Sequence, residues 1–548
     1  MSTTMLRKQG LSWSITSLVI ASIVVLPLLS LLIIGFNDTT DIWSHLSSTV
    51  LDDYLINSTI LMLGVGLVTL AVGVGSALLV TQFNFKGRGV FEWALLLPLA
   101  VPTYITAYSY TGLLEVAGPV QYAIRDTLNL AVGDYWFPEI RSIGGAIFVM
   151  SFVLYPYVYL LTRASFLEQS SSFRNVAVLM GHSSYSAFFR TTFAISRPAI
   201  VAGLSLVLME TLADFGAASY FGLSTFTTGI FRTWYGLDSV AGAAQLSLLL
   251  LSFVIVLLFI EKASRRRSAY HNKSTSSDSK RTELKSLKAI SAIGLLFIPI
   301  AIGFIIPMVP LFIWALESYA TVFRPEFLRL VFNTVGLAAI TALAALILAL
   351  LAAYANRLNN NPSTRLGKSA IGLGYAVPGT VIAVGTLIPL ATIDNSIDTW
   401  FRTQFDISTG LILSGSVIAL IIAYLVRFLA VALGSIDSGL NTISSNIDQS
   451  ARLMGHSPLN VMSKIHIPIL RSSLLTALLI VFVDVMKELP ATLVLRPFNF
   501  NTLAVRAYEL ASDERLTDAS LASLTIVLAG LVPVILLTKA SLNTGRQL

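Results

Sequence analysis

Twelve apolar runs punctuate the chain, each long enough to cross a hydrocarbon core about 30 Å thick. They fall near residues 12–35, 57–82, 90–113, 142–163, 198–222 and 239–260, then 289–316, 331–355, 369–393, 409–430, 471–493 and 519–540. Inside lipid no water satisfies backbone N–H and C=O groups, so a chain of such runs has to cross as helices. The expected fold class is therefore an all-α integral membrane protein with about twelve transmembrane helices. Composition agrees: 12% of residues are charged and 55% hydrophobic, against about 25% charged in soluble domains. A soluble α-helical enzyme of this composition would expose far too much apolar surface. With no cysteine, disulfides, thiolate metal sites and cysteine redox chemistry are excluded.

Lys and Arg set the expected orientation. With a cytoplasmic N-terminus, the inside segments are both termini, the loops near 83–89, 163–197, 356–368 and 427–471, and the stretch 261–288. These hold 26 of the 36 Lys and Arg, and the opposite loops hold 18 of the 29 Asp and Glu. Both termini are thus expected on the cytoplasmic side of the membrane. The first run follows Arg7 and Lys8 without a small-residue cleavage motif, which reads as a retained signal-anchor helix. The basic, Ser- and Thr-rich stretch from Arg265 to Lys285 reads as a solvated connector beside anionic lipid rather than a nucleic-acid patch.

That connector divides the chain into halves that repeat each other. Ala100-Val101-Pro102 recurs as Ala376-Val377-Pro378, shifted by 276 residues, and Leu179-Met180-Gly181-His182-Ser183 recurs as Leu453-Met454-Gly455-His456-Ser457, shifted by 274. At the second shift Arg190 meets Lys464, Arg197 meets Arg471, Thr228 meets Thr502 and Arg232 meets Arg506. The expected organisation is a first six-helix repeat over 1–261 with a long cytoplasmic loop at 164–197, a linker at 262–288, and a second repeat over 289–548 with its loop at 432–470. An even number of spans gives both repeats the same topology, so a pseudo-two-fold along the membrane normal and a pathway between the halves are expected.

In each long loop small residues lead into a glycine: Ala177 before Gly181, and Ala451 before Gly455. Such wording suits a short helix that another surface approaches closely, ended by a left-handed glycine. It resembles the coupling-loop signature of bacterial ABC importer permeases, Glu-Ala-Ala, three residues, Gly, then Ile-x-Leu-Pro. The resemblance covers nearly the whole chain, since fused two-half permeases of that family have this span count and repeat. It implies that Asn175, Ala177, Gly181 and His182 in the first copy, and Gln449, Ala451, Gly455 and His456 in the second, dock two copies of a cytoplasmic ABC ATPase. Two departures stand out: Asn175 and Gln449 replace the signature glutamate, and Ala194 stands where the second copy has Pro468.

Four carboxylates fall well inside the expected spans, away from their edges: Glu210 and Asp214 in the fifth, Asp484 and Glu488 in the eleventh. Each pair is spaced i, i+4, which puts it on one face of a continuous helix, with Glu210 about 18 Å from the start of its span. An ionisable group at such depth costs about 2.5–3.5 kcal/mol on insertion scales, so a partner or water is required. Two compatible readings remain open: structural pairing with Lys487, Arg427 or other polar groups, and a role lining or gating a substrate path. Carboxylate oxygens suit a hard cation better than an organic anion.

The strings Glu210-Thr-Leu-Ala-Asp214-Phe-Gly216, Phe226-Thr-Thr-Gly-Ile230 and Lys487-Glu488-Leu489-Pro490-Ala491-Thr492 look like those of ferric-iron uptake permeases. That resemblance implies Fe(III) as transported substrate, no permanently bound cofactor and a periplasmic iron-binding protein as partner. Permeases for thiamine, polyamine or phosphonate share much of the wording. A proton-coupled secondary transporter using the same carboxylates is the alternative of another class. The tyrosines at 104, 108, 155 and 159 read as packing or interface anchors. No Gly-x-x-x-x-Gly-Lys-Ser/Thr phosphate loop occurs, so ATP hydrolysis by that route would belong to a partner. His182 and His456 read as polar loop contacts rather than metal ligands, and Gly64, Gly66, Gly73 and Gly75 as close helix packing.

Overall fold

The computed structural model describes residues 3–37, 42–168, 180–181, 183, 186, 189–266 and 281–544; for 3–10, 168, 265–266, 452 and 536–544 it describes the backbone alone. Among the described residues, eleven helices are long and apolar enough to cross a membrane, and a bent helix pair brings the number to twelve. Each of the twelve overlaps one of the expected runs. Among the described residues the single strand pairing is a two-residue parallel bridge, Phe83–Asn84 with Thr282–Glu283, where the end of the linker returns to the loop after the second span.

The repeated Ala-Val-Pro is a place where helices stop, not the interior of a span. Helix Arg88–Ala94 and the turn Leu97–Ala100 end before Val101, which is extended, and a new helix Thr103–Leu114 starts after Pro102; the bent pair turns through 90°. The second half repeats the break: helix Pro362–Leu373 and the turn Gly374–Ala376 lead through extended Val377 and Pro378 into helix Gly379–Phe405. Proline lacks the N–H that would continue the ladder and pushes the residue before it out of the helical region. Pro102 (φ −57°, ψ 145°) and Pro378 (φ −58°, ψ 145°) adopt nearly the same conformation. The expected uninterrupted third and ninth spans are corrected accordingly.

Compaction follows a different division from the sequence repeat. One compact unit comprises residues 47–229, 252–322 and 507–548; the other comprises 1–46, 230–251 and 323–506. The first and last spans of the second half therefore belong with the middle of the first half, while the first span of the chain belongs with the second half.

In the unit built around 47–229, the second span (Leu51–Gln82) lies against the fourth (Ile143–Leu167) and fifth (Phe189–Ala213). Glycines set that approach. An added methyl would sit 2.5 Å from Ile147 Cδ1 at Gly64, 2.7 Å from Val158 Cβ at Gly73 and 2.9 Å from Val158 Cα at Gly203. Gly66 would meet Leu208 at 3.0 Å, whereas Gly75 meets nothing within 4 Å, so packing accounts for three of the four glycines expected to pack. Without a hydrophobic driving force between helices in lipid, association relies on such close contacts of small residues.

In the unit built around 323–506, the eighth (Pro325–Leu358), tenth (Val417–Thr442) and eleventh (Pro458–Met486) spans pack together. The eighth buries a stripe of alanines at 338, 342, 345, 349 and 352. The first span lies along the eighth and ninth, and Ser30 donates its hydroxyl to the Gly385 carbonyl at 2.7 Å.

The obstacle at Gly203 is backbone, which cannot swing aside. Gly203→Val is expected to destabilise the protein by about 1–3 kcal/mol through overpacking, and Gly75→Ala to stay within about 0.5 kcal/mol. Thermal unfolding of the detergent-solubilised protein, followed by size-exclusion chromatography, checks the contrast; equal midpoints for the two variants would refute it.

Candidate functional site at the broken fifth and eleventh spans

The membrane acids do not sit as i, i+4 pairs on continuous helices. Helix Ala194–Ala213 ends just before Asp214, which is extended (φ −70°, ψ 120°), and a short helix Gly216–Tyr220 follows. Helix Ile467–Met486 ends before Lys487, and Pro490–Leu495 follows. Glu210 and Asp484 stay on the long helices, while Asp214 and Glu488 lie in the breaks. The signal for a break was present in Gly216 and Pro490, residues that interrupt helices.

Both break acids do the same job. Asp214 Oδ1 accepts from the backbone N–H groups of Ala217 (2.9 Å) and Ala218 (3.2 Å). Glu488 accepts from the N–H of Ala491 (2.9 Å) and of Thr492 (3.1 Å), and from the Thr492 hydroxyl (2.7 Å). A shift of 274 carries Asp214, Ala217 and Ala218 onto Glu488, Ala491 and Thr492, so the repeat extends to individual bonds. Each carboxylate satisfies N–H groups at the start of a short helix that would otherwise face a medium without water, and its charge lies against the positive end of the helix dipole.

Around this shared frame the halves differ. The Thr103 hydroxyl donates to Asp214 Oδ2. Thr103 follows Pro102, and the residue following Pro378 is Gly379. A methyl at Gly379 would lie 2.7 Å from Glu488 Oε1 and 2.8 Å from Arg427 Nη1. The glycine makes room for a guanidinium, whose Nη1 stands 3.6 Å from Glu488 Oε1. Arg427 lies within the tenth span, inside helix Val417–Thr442. Lys487 Nζ pairs with Asp484 Oδ1 at 2.8 Å. Glu488 is 5% exposed, and its Thr492 partner also bonds the buried Tyr424 hydroxyl at 2.5 Å.

In the second loop a short helix, Ser445–Leu453, ends in a turn through Gly455 at φ +81°. Ala451 is buried at 4%, and Gln449, Gly455 and His456 are exposed. In the first loop Gly181 has φ +87°, while Asn175, Ala177 and His182 lie outside the described residues. Left-handed glycine thus occurs at both copies. Beside it, Met180 is 75% and Met454 77% exposed, with Leu453 at 90%. The helical tenth span runs to Thr442 and the eleventh begins at Pro458, so the loop between them is shorter than the expected 432–470.

Comparison with known proteins agrees with this architecture. The family described as binding-protein-dependent transport system inner membrane component matches residues 68–270, which include the first loop and both acids of the fifth span. Together with the membrane spans, this match supports an ABC importer permease, a multi-pass protein of the inner membrane. Along its length it is similar to the Fe(3+)-transport system permease protein FbpB 2 of Haemophilus influenzae, 26% identical over 494 residues, which cover 89% of this chain and 90% of the relative. Shorter likenesses are to the molybdenum transport system permease protein ModB of Haemophilus influenzae (26% over 194 residues; 35% of this chain, 82% of the relative) and to the sulfate transport system permease protein CysW of Escherichia coli (31% over 152 residues; 28% and 50%).

The break acids make a stability contrast. Glu488→Gln removes the charge opposite Arg427 in a buried setting, where breaking an ion pair costs about 3–5 kcal/mol. Asp214→Asn keeps an oxygen acceptor for the helix start and is expected to cost about 1 kcal/mol. In a double-mutant cycle on unfolding midpoints, Glu488→Gln and Arg427→Met should couple by about 0.5–3 kcal/mol; strict additivity would show that the 3.6 Å pair carries no energy.

Proposed function

We propose that this permease imports ferric iron, handed over by a soluble iron-binding protein on the outer side and driven by two copies of a cytoplasmic ABC ATPase. The observation that carries the substrate reading is extent: the likeness to the Fe(3+)-transport permease runs over 89% of the chain, whereas the molybdenum and sulfate relatives match 35% and 28%. The chemistry of the breaks supports it, because carboxylates repel oxyanions and attract hard cations. Fe(III) is here the cargo, not a resident cofactor. On this reading Glu210, Asp214, Asp484 and Glu488, with Lys487, contribute to the substrate path or its gate, alongside the capping that two of them perform.

The two loops are the ATPase contacts, and both termini lie in the cytoplasm. Supporting this are the left-handed Gly181 and Gly455 and the exposed apolar residues Met180, Leu453 and Met454, which suit insertion into a groove. Asn175 and Gln449 cannot offer the charge that the family's glutamate offers, so on this reading shape and apolar contact carry the docking. ATP is hydrolysed by the partner, and the permease supplies the route.

Two measurements test this. Reconstituted with its ATPase and receptor, the permease should take up Fe(III) only when ATP is supplied to the ATPase side; uptake in vesicles lacking the ATPase would favour a proton-coupled carrier. The receptor should retain Fe(III) in preference to sulfate, molybdate, thiamine, polyamine or phosphonate, and retention of another solute would replace iron with that solute. Substituting Gly181 and Gly455 together by leucine, at about 1–2 kcal/mol of left-handed strain each, should uncouple uptake from ATP hydrolysis while leaving membrane insertion intact.

A further inference from the structure

Away from the membrane acids, a largely buried ionic cluster is attached to the second loop. Asp448 lies on the loop helix Ser445–Leu453, one residue before Gln449. Arg357, in the last turn of the eighth span, reaches it through Nε (2.8 Å) and Nη2 (2.7 Å) to Oδ2. The same guanidinium donates through Nη1 to the Leu440 carbonyl at 2.6 Å and through Nη2 to the Ile443 carbonyl at 3.0 Å. One side chain therefore ties the loop helix to the end of the tenth span, where unpaired carbonyls favour a cation. From the start of the eleventh span the fully buried His466 brings Nε2 within 2.9 Å of Asp448 Oδ1. Tyr354, one turn before Arg357, sets its ring edge-on to His466 at 5.5 Å and donates its hydroxyl to the Pro458 carbonyl at 2.8 Å. All these residues belong to one compact unit.

The first half does not encode this cluster. At the shift of 274, Arg174 stands at the Asp448 position and Thr192 at the His466 position, and the stretch matching Arg357 is Thr81-Gln82-Phe83. The cation from the eighth span, the acid on the loop helix and the histidine are all missing from the corresponding positions.

A short helix held by a charged, mostly buried network moves with its neighbours, because separating them would leave a guanidinium and a carboxylate without their partners. The eleventh span, which includes His466 in its early turns, carries Asp484 near its other end and leads into Glu488. We propose that Arg357, Asp448 and His466 form a positioning cluster that makes the second loop helix a stiff arm, passing its displacement to the eighth, tenth and eleventh spans. The proposal rests on the reading of that helix as an ATPase contact. The first loop lacks these residues in its sequence, so the arm is assigned to the second half.

The test uses the full chain with its ATPase and receptor in proteoliposomes, comparing Asp448→Asn and Arg357→Lys with the unaltered protein. Backbone hydrogen exchange over 445–453, measured on the permease alone, should speed up by about tenfold in both variants, and Fe(III) imported per ATP hydrolysed should fall several-fold. Lys368→Gln, which removes a 2.7 Å ion pair with Asp437 in the same unit, should alter neither. Unchanged exchange in both variants overturns the proposal, as does faster exchange with an unchanged transport-to-ATP ratio. If neither variant yields a monodisperse protein, the cluster belongs to the global fold and the positioning role is likewise overturned. An unaltered protein that shows no ATP-driven uptake defeats the docking reading itself, and with it the transmission it was to carry.

Discussion

In hydrocarbon a backbone N–H has no water to turn to, so any break in a spanning helix has to bring its own acceptor. This protein breaks its spans repeatedly, and the structure depends on how those breaks are closed. At the third and ninth spans proline closes them by subtraction, since Pro102 and Pro378 have no N–H to leave unpaired. At the fifth and eleventh spans a carboxylate closes them by addition, Asp214 and Glu488 each accepting two backbone N–H groups of the helix that follows. An acid inside a membrane is costly on its own. Placed against a helix start, the same charge is matched by oriented dipoles and hydrogen bonds.

The duplication therefore conserves a frame and varies its surroundings. Asp214 takes its further bond from a neutral hydroxyl, Thr103, whereas Glu488 has Arg427 beside it and Lys487 neutralises Asp484. Gly379 is the residue that permits the second arrangement, since any side chain there would collide with both members of the Arg427–Glu488 pair. The long loops show the same pattern: left-handed glycine in both copies, with Asp448 anchoring the second where the sequence of the first has Arg174. A structural role for the break acids and a role in the path are compatible, because a carboxylate fixed by two N–H groups presents its remaining lone pairs in a defined direction.

Much of this was readable in advance. Twelve apolar runs located twelve spans because length and hydropathy are set locally by the thickness of the membrane. Gly181 and Gly455 were readable as left-handed turns because only glycine takes φ near +80° without strain. The helix breaks were misread, although their signals, Pro102, Pro378 and Pro490, stood in the sequence: proline and glycine are common enough inside membrane helices that their presence alone does not separate a kink from a stop. The i, i+4 spacing of the acids was read as one helical face, a reading that holds only while the helix continues.

Sequence by itself determined the membrane class, the repeat, the sites of the loops and the identity of the intramembrane acids, all of which follow from local composition and from matching one half against the other. Tertiary structure decided which acid meets which cation. It also decided that the chain compacts across its repeats, with residues 1–46 joining 323–506 and residues 252–322 and 507–548 joining 47–229. The reason is physical. Pairing and packing depend on which faces meet across hundreds of residues, and in an apolar chain nearly every face is compatible with nearly every other. What discriminates is a few close approaches, such as Gly73 and Gly203 on Val158, and a few charges whose burial is tolerable in one arrangement only.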